Sequence, residues 1–488
     1  MSGRDFLIID GDSLRCQDVV RASHRMTSVS LAPDAERAVV RANQVADELS
    51  RIRPVYGRTT GVGANRDAVV INSAAGDHDL RLLRSHAPGI GDQLDEVSVR
   101  AAMVVRLNQL AAAGSGIHPA FLHALEQALR TDAVPTVHDL GTIGTGDLTA
   151  LAEIALTLTG HLPWASGHVE PIGLEPGDAL AFMSSNAVTL ARAVLVGEEL
   201  RRLLDAAHLV TALSYCAMGG SAEAFAEQVH ARRPHPGAVR SARTMRELLW
   251  HEGDLSPGRR IQDPFGLRAF CQVHGPALDS SEALTRVLEI EVNAAAENPL
   301  VDVAGGAVFH HGQFSTAYPA LALDQLRAAV HHVAELSAAR LADLVEPDFT
   351  GLTPFLTSGP PGSSGVMILE YIAHDALGML RHSASPVTLG TSVISRGVED
   401  HASFTPQAVR SARSTAANYR TVLSCELVAA TRALRLAETA PRGRLLGEAF
   451  HGLLGKLPDL RADHQLGQEI EIAGGLLDDL IELMPSAE

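Results

Sequence analysis

Residues 185–218 read SNAVTLARAVLVGEELRRLLDAAHLVTALSYCAM, and this stretch decides the fold. Apolar side chains recur around most of a helical wheel, interrupted only by a short charged patch. A helix with so little polar surface has to be buried on several sides. Three further stretches share the character: SSEALTRVLEIEVNAAAE (280–297), ALALDQLRAAVHHVAELSAARLADLV (320–345) and TAANYRTVLSCELVAATRALRLAE (415–438). Several helices of this length predict a long-helix bundle. Their apolar surfaces are broad enough to predict that helices from several subunits share one core.

Composition agrees with a mainly α protein. The 488 residues are 46% hydrophobic and 4% aromatic, an alanine- and leucine-rich balance that favours packed helices over β-sandwiches. The net charge of -17 argues against a nucleic-acid partner, because phosphate binding needs a clustered basic surface. No secretory leader is read in MSGRDFLIIDGDSLRC, and no run is expected to reach the length of about 18 apolar residues that crosses a membrane. A cytoplasmic protein without a membrane partner is therefore expected. Cys16, Cys216, Cys271 and Cys425 lie far apart without CxxC spacing and read as reduced, structural residues.

Lys456 is the only lysine. Its setting, GLLGKLPDL, has no glycine loop for a phosphate and no following serine or threonine, which sets aside pyridoxal-phosphate and P-loop chemistry. His310-His311 invites a metal reading, but adjacent residues in an extended run point to opposite faces. No His/carboxylate spacing around them supports it, so no metal is expected.

Residues 1–200 mix short apolar runs (DFLIID, DAVVIN) with helices such as DAERAVVRANQVADELSRI. The pattern divides the chain into this mixed region, a long-helix bundle over 201–440 and a helical tail over 441–488. Polar, glycine-rich segments interrupt the helices: VYGRTTGVG (55–63), LGTIGTGDL (140–148), QDPFGLRAFCQVHG (262–275), FHHGQFST (309–316), TSGPPGSSGVM (357–367) and SRGVEDHAS (395–403). Functional loops on a rigid helical scaffold have this look.

These loops, in this order, resemble the aromatic amino-acid ammonia-lyase and aminomutase superfamily, with the histidine ammonia-lyases most similar. VYGRTTGVG is similar to the family's Tyr-Gly-x-Asn/Thr-Thr-Gly-Phe-Gly loop, and LLRSHAPGIG (82–91) to its Ser-His-Ala-x-Gly segment. QDPFGLRAFCQVHG, ENPLVD (297–302) and VEDHASF (398–404) resemble Gln-Asp-x-Tyr-Ser-Leu-Arg, Asp-Asn-Pro-Leu and Gln-Glu-Asp-His-Val-Ser-Met. The resemblance covers residues 7–435. It implies the fumarase/aspartase-like ammonia-lyase fold, a central bundle of long antiparallel helices, in a homotetramer whose active sites each draw on three subunits.

The family's electrophile is a methylidene-imidazolone, made when an internal Ala-Ser-Gly cyclises and loses two waters. Here Gly144-Thr145-Gly146 stands before Asp147-Leu148, and serine is absent. Counted from Gly141, the turn is one residue short. Threonine could dehydrate in principle, giving a methyl-substituted and more hindered alkene. Other changes fall on the same pocket: Ser184 replaces an asparagine, Phe265 a tyrosine, Gln313 an asparagine, Val398 a glutamine and Val62 the loop phenylalanine. Changes this concerted are what loss of the prosthetic group produces, so no cofactor is expected.

What remains implies a site. Tyr56 matches the catalytic tyrosine that takes the substrate β-proton, and its ordinary pKa of about 10 has to be lowered to serve near pH 7. Arg268 matches the arginine whose guanidinium fork holds the substrate carboxylate. His86 and Glu399 match positions facing the substrate side chain, and a Glu399 carboxyl of raised pKa would suit acid–base work. Asp400 and His401 read as supporting or helix-capping residues. The reading is a lyase of specialised metabolism acting on a small carboxylate. The alternatives are an ammonia-lyase or aminomutase on histidine or a related amino acid with a Thr145-derived group, and a non-catalytic scaffold or ligand sensor.

Overall fold

The computed structural model describes residues 6–70, 76–249, 258–442, 444–459 and 462–482. It is mainly helical, with three two-stranded sheets among the described residues. The chain forms two compact units that follow contacts rather than chain order: 1–195 with 285–322 and 386–409, and 196–284 with 323–385 and 410–488. The pattern reading divides the chain into consecutive stretches, whereas here three segments far apart in sequence fold together in each unit. Four of the five boundaries fall inside long helices, Ala187–Met218, Phe270–Glu291, Ala317–Leu344 and Thr405–Leu436, and the fifth follows helix Ile368–Ser383.

The first unit opens with strand Phe6–Ile9, paired in parallel with Ser28–Leu31. The DAVVIN run makes only a bridge from Val69 to Thr60, and its last two residues lie outside the described residues. Helix Pro33–Ile52 buries Ala35, Val39, Ala42 and Ala46 at helical spacing. Helix Glu96–Ala111 is buried over most of its length, including Arg106 and Asn108. Arg106 is fully buried and satisfied: it pairs with Glu297 at 2.7 Å and donates to the Ala181 and Phe182 carbonyls. That ties helix Asp178–Met183 to the segment after Glu291.

The second unit holds helices Pro236–Leu249, Ile368–Ser383, Arg444–Lys456 and Gly467–Ile481 with the larger parts of the four long ones. Its interior holds Arg340 and Glu426, both 0% exposed, in a bidentate pair at 2.6 and 2.8 Å. Ser214 and Ser337 donate to the same carboxylate, so the buried charges are fully bonded.

Two readings are corrected here. The 262–275 segment is helical rather than a loop, forming Phe265–Arg268 and then the helix from Phe270. Its glycine serves close packing, since a β-carbon on Gly275 would lie 2.5 Å from the Ala238 nitrogen, and one on Gly237 would lie 2.1 Å from the Gly275 carbonyl. The stretch Asp178–Met218 is long and apolar enough to cross a membrane by length and composition, with a mean hydropathy of 1.5 in its most apolar window. That window is 89% buried inside the protein, as expected of a core helix. Cys216, Cys271 and Cys425 are free cysteines, and burial pushes their thiols up to about 12.

Candidate active site

The first unit contains a cavity of about 720 Å³ lined by Tyr56, His86, Thr145, Ser184, Val398 and Glu399. They come from five separate segments, Val398 and Glu399 sharing one.

Tyr56 sits on a loop anchored from below. Val55 is buried, and its N–H donates to the Thr59 hydroxyl at 2.8 Å. Arg58 is buried, ion-paired to Asp47 and hydrogen-bonded to the Gly116 carbonyl. Gly57 has a φ of +71, and a β-carbon there would lie 2.0 Å from Leu180, so the loop can pass only with glycine. The chain then turns back, and the Gly63 N–H donates to the Tyr56 hydroxyl at 2.6 Å. Burial raises the phenol above its ordinary value, and the nearby Glu399 carboxylate adds to this, while the Gly63 N–H and Arg66 oppose it. The lowering that base catalysis needs is therefore not supplied within this unit.

Glu399 follows a tight turn in which Ser395 and Arg396 both adopt positive φ. The Ser395 hydroxyl accepts from the Ala64 N–H at 3.0 Å and locks this turn to the tyrosine loop. His86 ends helix Asp77–His86, with Nδ1 2.8 Å from the Leu82 carbonyl. A carbonyl only accepts, so Nδ1 is the donor in this contact.

Two residues that sequence reasoning missed also line the cavity. His310 accepts the Tyr56 N–H on Nε2 at 3.3 Å and meets the phenol ring edge-on. Burial, with Arg53 and His311 assisting, holds its pKa below the ordinary value, consistent with that acceptor role. Asn298 accepts from the His311 N–H on Oδ1, leaving its amide nitrogen to donate, while its own N–H donates to the Ser184 hydroxyl. The signal for both was present: Asn298 lies in ENPLVD, and His310 was considered only as a metal ligand.

The Gly144-Thr145-Gly146 turn closes one wall. Gly144 and Gly146 have φ of +91 and +130. The Gly144 carbonyl accepts from the hydroxyls of Ser403 and Thr316, and the Gly146 N–H donates to Asn186. Asp147 is buried beneath, accepting from the Thr189 N–H and hydroxyl at 2.7 Å each. A β-carbon on residue 144 would lie 1.9 Å from the Ser403 oxygen.

Not every expected residue joins the cavity. Gln313 is exposed and does not line it, and neither do the exposed Asp400 and His401. Phe265 and Arg268 belong to the second unit, where both are exposed. There the Arg268 guanidinium stacks on the Phe265 ring at 4.5 Å, and its Nε donates to the Asp263 carbonyl at 2.7 Å.

Four of the five matching segments therefore contribute to one cavity, the 262–275 segment lying in the second unit, and comparison with known proteins agrees. Residues 14–454 match the aromatic amino acid lyase family. The chain belongs to that family. Histidine ammonia-lyases from Anaeromyxobacter sp. (strain K) and Gloeobacter violaceus are both 32% identical to it, covering 97% and 99% of this chain and 98% of each relative. Among solved structures, the fold is similar to that of the ergothioneine-degrading enzyme ergothionase from Treponema denticola, in complex with desmethyl-ergothioneine sulfonic acid (TM-score 0.92, 26% identity, covering 98% of this chain and 100% of that one). Tyrosine aminomutase from Streptomyces globisporus is comparable (TM-score 0.91, 25% identity, 99% of each chain). The mainly helical ammonia-lyase fold is thus shared along the chain's length.

Proposed function

We propose that this family member is a lyase that works without a methylidene-imidazolone. It eliminates a group from a small, amino-acid-derived carboxylate, or runs the reverse addition or cyclisation. One observation carries the reading: the turn that would form the electrophile does not fit it. The family's alanine position is Gly144, closed against any β-carbon by Ser403, and the residue to be dehydrated is Thr145. No step is therefore routed through that group.

In the elimination direction Tyr56 removes the proton on the carbon β to the carboxylate. The C–H electron pair forms the double bond, and the leaving group departs with its own bonding pair. Glu399, on the same cavity wall, takes that proton on from the phenol and passes it to solvent, and a leaving group that departs as a neutral amine needs no proton of its own. Without an electrophile to bond an amine, the substrate has to carry its own activation. A quaternary ammonium does so: its nitrogen has no lone pair to offer an electrophile, cannot lose its charge by deprotonation, and leaves as a neutral amine. The relative that degrades ergothioneine, a histidine betaine, supports this class. His86 and His310 suit an imidazole-derived ring.

The working form under this reading is a cytoplasmic homotetramer. Neighbouring copies supply Arg268, whose Nη edge meets the substrate carboxylate while Phe265 braces its face. The same positive charge brings the Tyr56 phenol down toward a useful range. Relatives named as histidine ammonia-lyases and aminomutases support the other reading, a Thr145-derived group acting on histidine or a similar amino acid.

Intact mass separates the two. The expected result is the mass of the unmodified sequence, together with ultraviolet-detected formation of a conjugated alkene from ergothioneine and none from histidine. A deficit of two waters on the peptide spanning Thr145 overturns the cofactor-free reading.

A further inference from the structure

Helix Ala317–Leu344 carries His331-His332-x-x-Glu335 in the second unit, whereas the cavity described above is lined by residues of the first. The expectation of no metal was drawn around His310-His311, where no carboxylate has the right spacing. Here one does. At 3.6 residues per turn, Glu335 lies about 40° from His331 and about 60° from His332 around the helix, so it sits between them on one face. The Glu335 Oε2 atom is 3.6 Å from His331 Nδ1 and 2.9 Å from His332 Nδ1, and all three ligand atoms lie within 4.8 Å of one another. Ligand atoms in a tetrahedral shell with bonds of about 2.1 Å sit about 3.4 Å apart. The two distances to Glu335 bracket that value.

We propose that His331 Nδ1, His332 Nδ1 and Glu335 Oε2 form a three-ligand site for a divalent transition-metal cation of the zinc type. Two imidazoles select zinc, nickel or copper over magnesium or calcium, which take oxygen ligands. The site is open on one side. His332 and Glu335 border a cavity of about 270 Å³ whose far wall includes Gln272, Val273 and Pro276. Water completes the shell there. Arg381 lies close enough to His331 to oppose a positive charge on its ring. Arg381 also repels a cation, which keeps affinity in the range of a three-ligand surface site rather than a buried structural one. The competing arrangement is a plain hydrogen bond from His332 to Glu335 with the His331 ring idle.

The test is titration of tag-free, full-length protein with zinc chloride by calorimetry, with cobalt chloride as the spectroscopic probe. The expected result is one zinc per chain at micromolar affinity, weakened about tenfold or more in E335Q and in H331A and unchanged in H451A. Cobalt should give the intense visible band of a four-coordinate site, lost in E335Q. Should E335Q fail to fold, H332A supplies the same comparison. Absence of stoichiometric binding, or binding that E335Q and H331A leave intact, overturns the site. None of these readouts depends on catalysis, so failure here leaves the proposed lyase reading untouched.

Discussion

Ser403 fills the space that a side chain on residue 144 would need: a β-carbon on Gly144 would lie 1.9 Å from the Ser403 oxygen. The glycine also has a φ of +91, which no L side chain adopts without strain. G144A, which restores the family's alanine, should therefore destabilise the first unit rather than rebuild an electrophile. Overpacking and backbone strain together cost on the order of 2–4 kcal/mol. Thermal denaturation should show a lowered Tm, and G144A/S403A should recover part of it. Recovery of full stability by the double variant would mean that backbone strain contributes nothing.

Tyr56 offers the sharpest test of catalysis against the scaffold reading. Y56F keeps the ring and removes the hydroxyl that accepts the Gly63 N–H at 2.6 Å. If the phenol is the base, turnover of ergothioneine should fall by about 10²–10⁴-fold, with the assembly and circular dichroism unchanged. Undiminished turnover in Y56F would remove Tyr56 from the mechanism. A chain that binds ligand equally well in both forms without turnover would favour the sensor reading.

His208 makes stability depend on pH. Its ring is fully buried beside His274, 4.5 Å between centroids, with Nε2 3.1 Å from the Ser241 hydroxyl. Burial depresses the His208 pKa from 6.5 to about 4 and lowers His274 in the same direction. Between these values the unfolded chain takes up a proton that the folded chain refuses. Stability is therefore complete above about pH 6.5 and falls as pH drops toward 4, by about 3 kcal/mol for His208 alone. Chemical denaturation at a series of pH values should show this slope. H208Q should flatten it even if the variant is less stable overall. An unchanged slope would place the titration elsewhere.

How much of this was legible in the sequence depends on what each feature rests upon. The helix 185–218 reads from its apolar faces, and Ala187–Met218 follows it within two residues. Tyr56, His86, Thr145, Ser184 and Glu399 were legible because fixed loop patterns carry them, and one cavity collects them. Gly275 misled because glycine marks a turn in a pattern but also permits close helix contact, and only the neighbouring Ala238 backbone distinguishes the two. The partnership of His310 with Tyr56 spans 254 positions, and no local period encodes it. Arg268 and Phe265 were legible as a motif, whereas their place in the second unit follows from long-range packing.

The buried pair of Arg106 and Glu297 supports the wall on which Ser184 and Asn298 stand. Arg106 holds Glu297 at 2.7 Å and donates to the Ala181 and Phe182 carbonyls, while Glu297 is directly followed by Asn298. E297Q leaves a fully buried guanidinium uncompensated, a change that costs about 3–5 kcal/mol. E297D restores the charge, and the residue the family pattern has there, but is one methylene too short for the 2.7 Å contact, so its loss should be smaller. If the wall depends on this pair, both variants should also alter binding of the product alkene, E297Q more than E297D, as measured by fluorescence or calorimetry. A stability loss in E297Q with unaltered ligand affinity would confine the pair to folding. Equal losses in the two variants would show that the Arg106 contact requires the longer side chain as well as its charge.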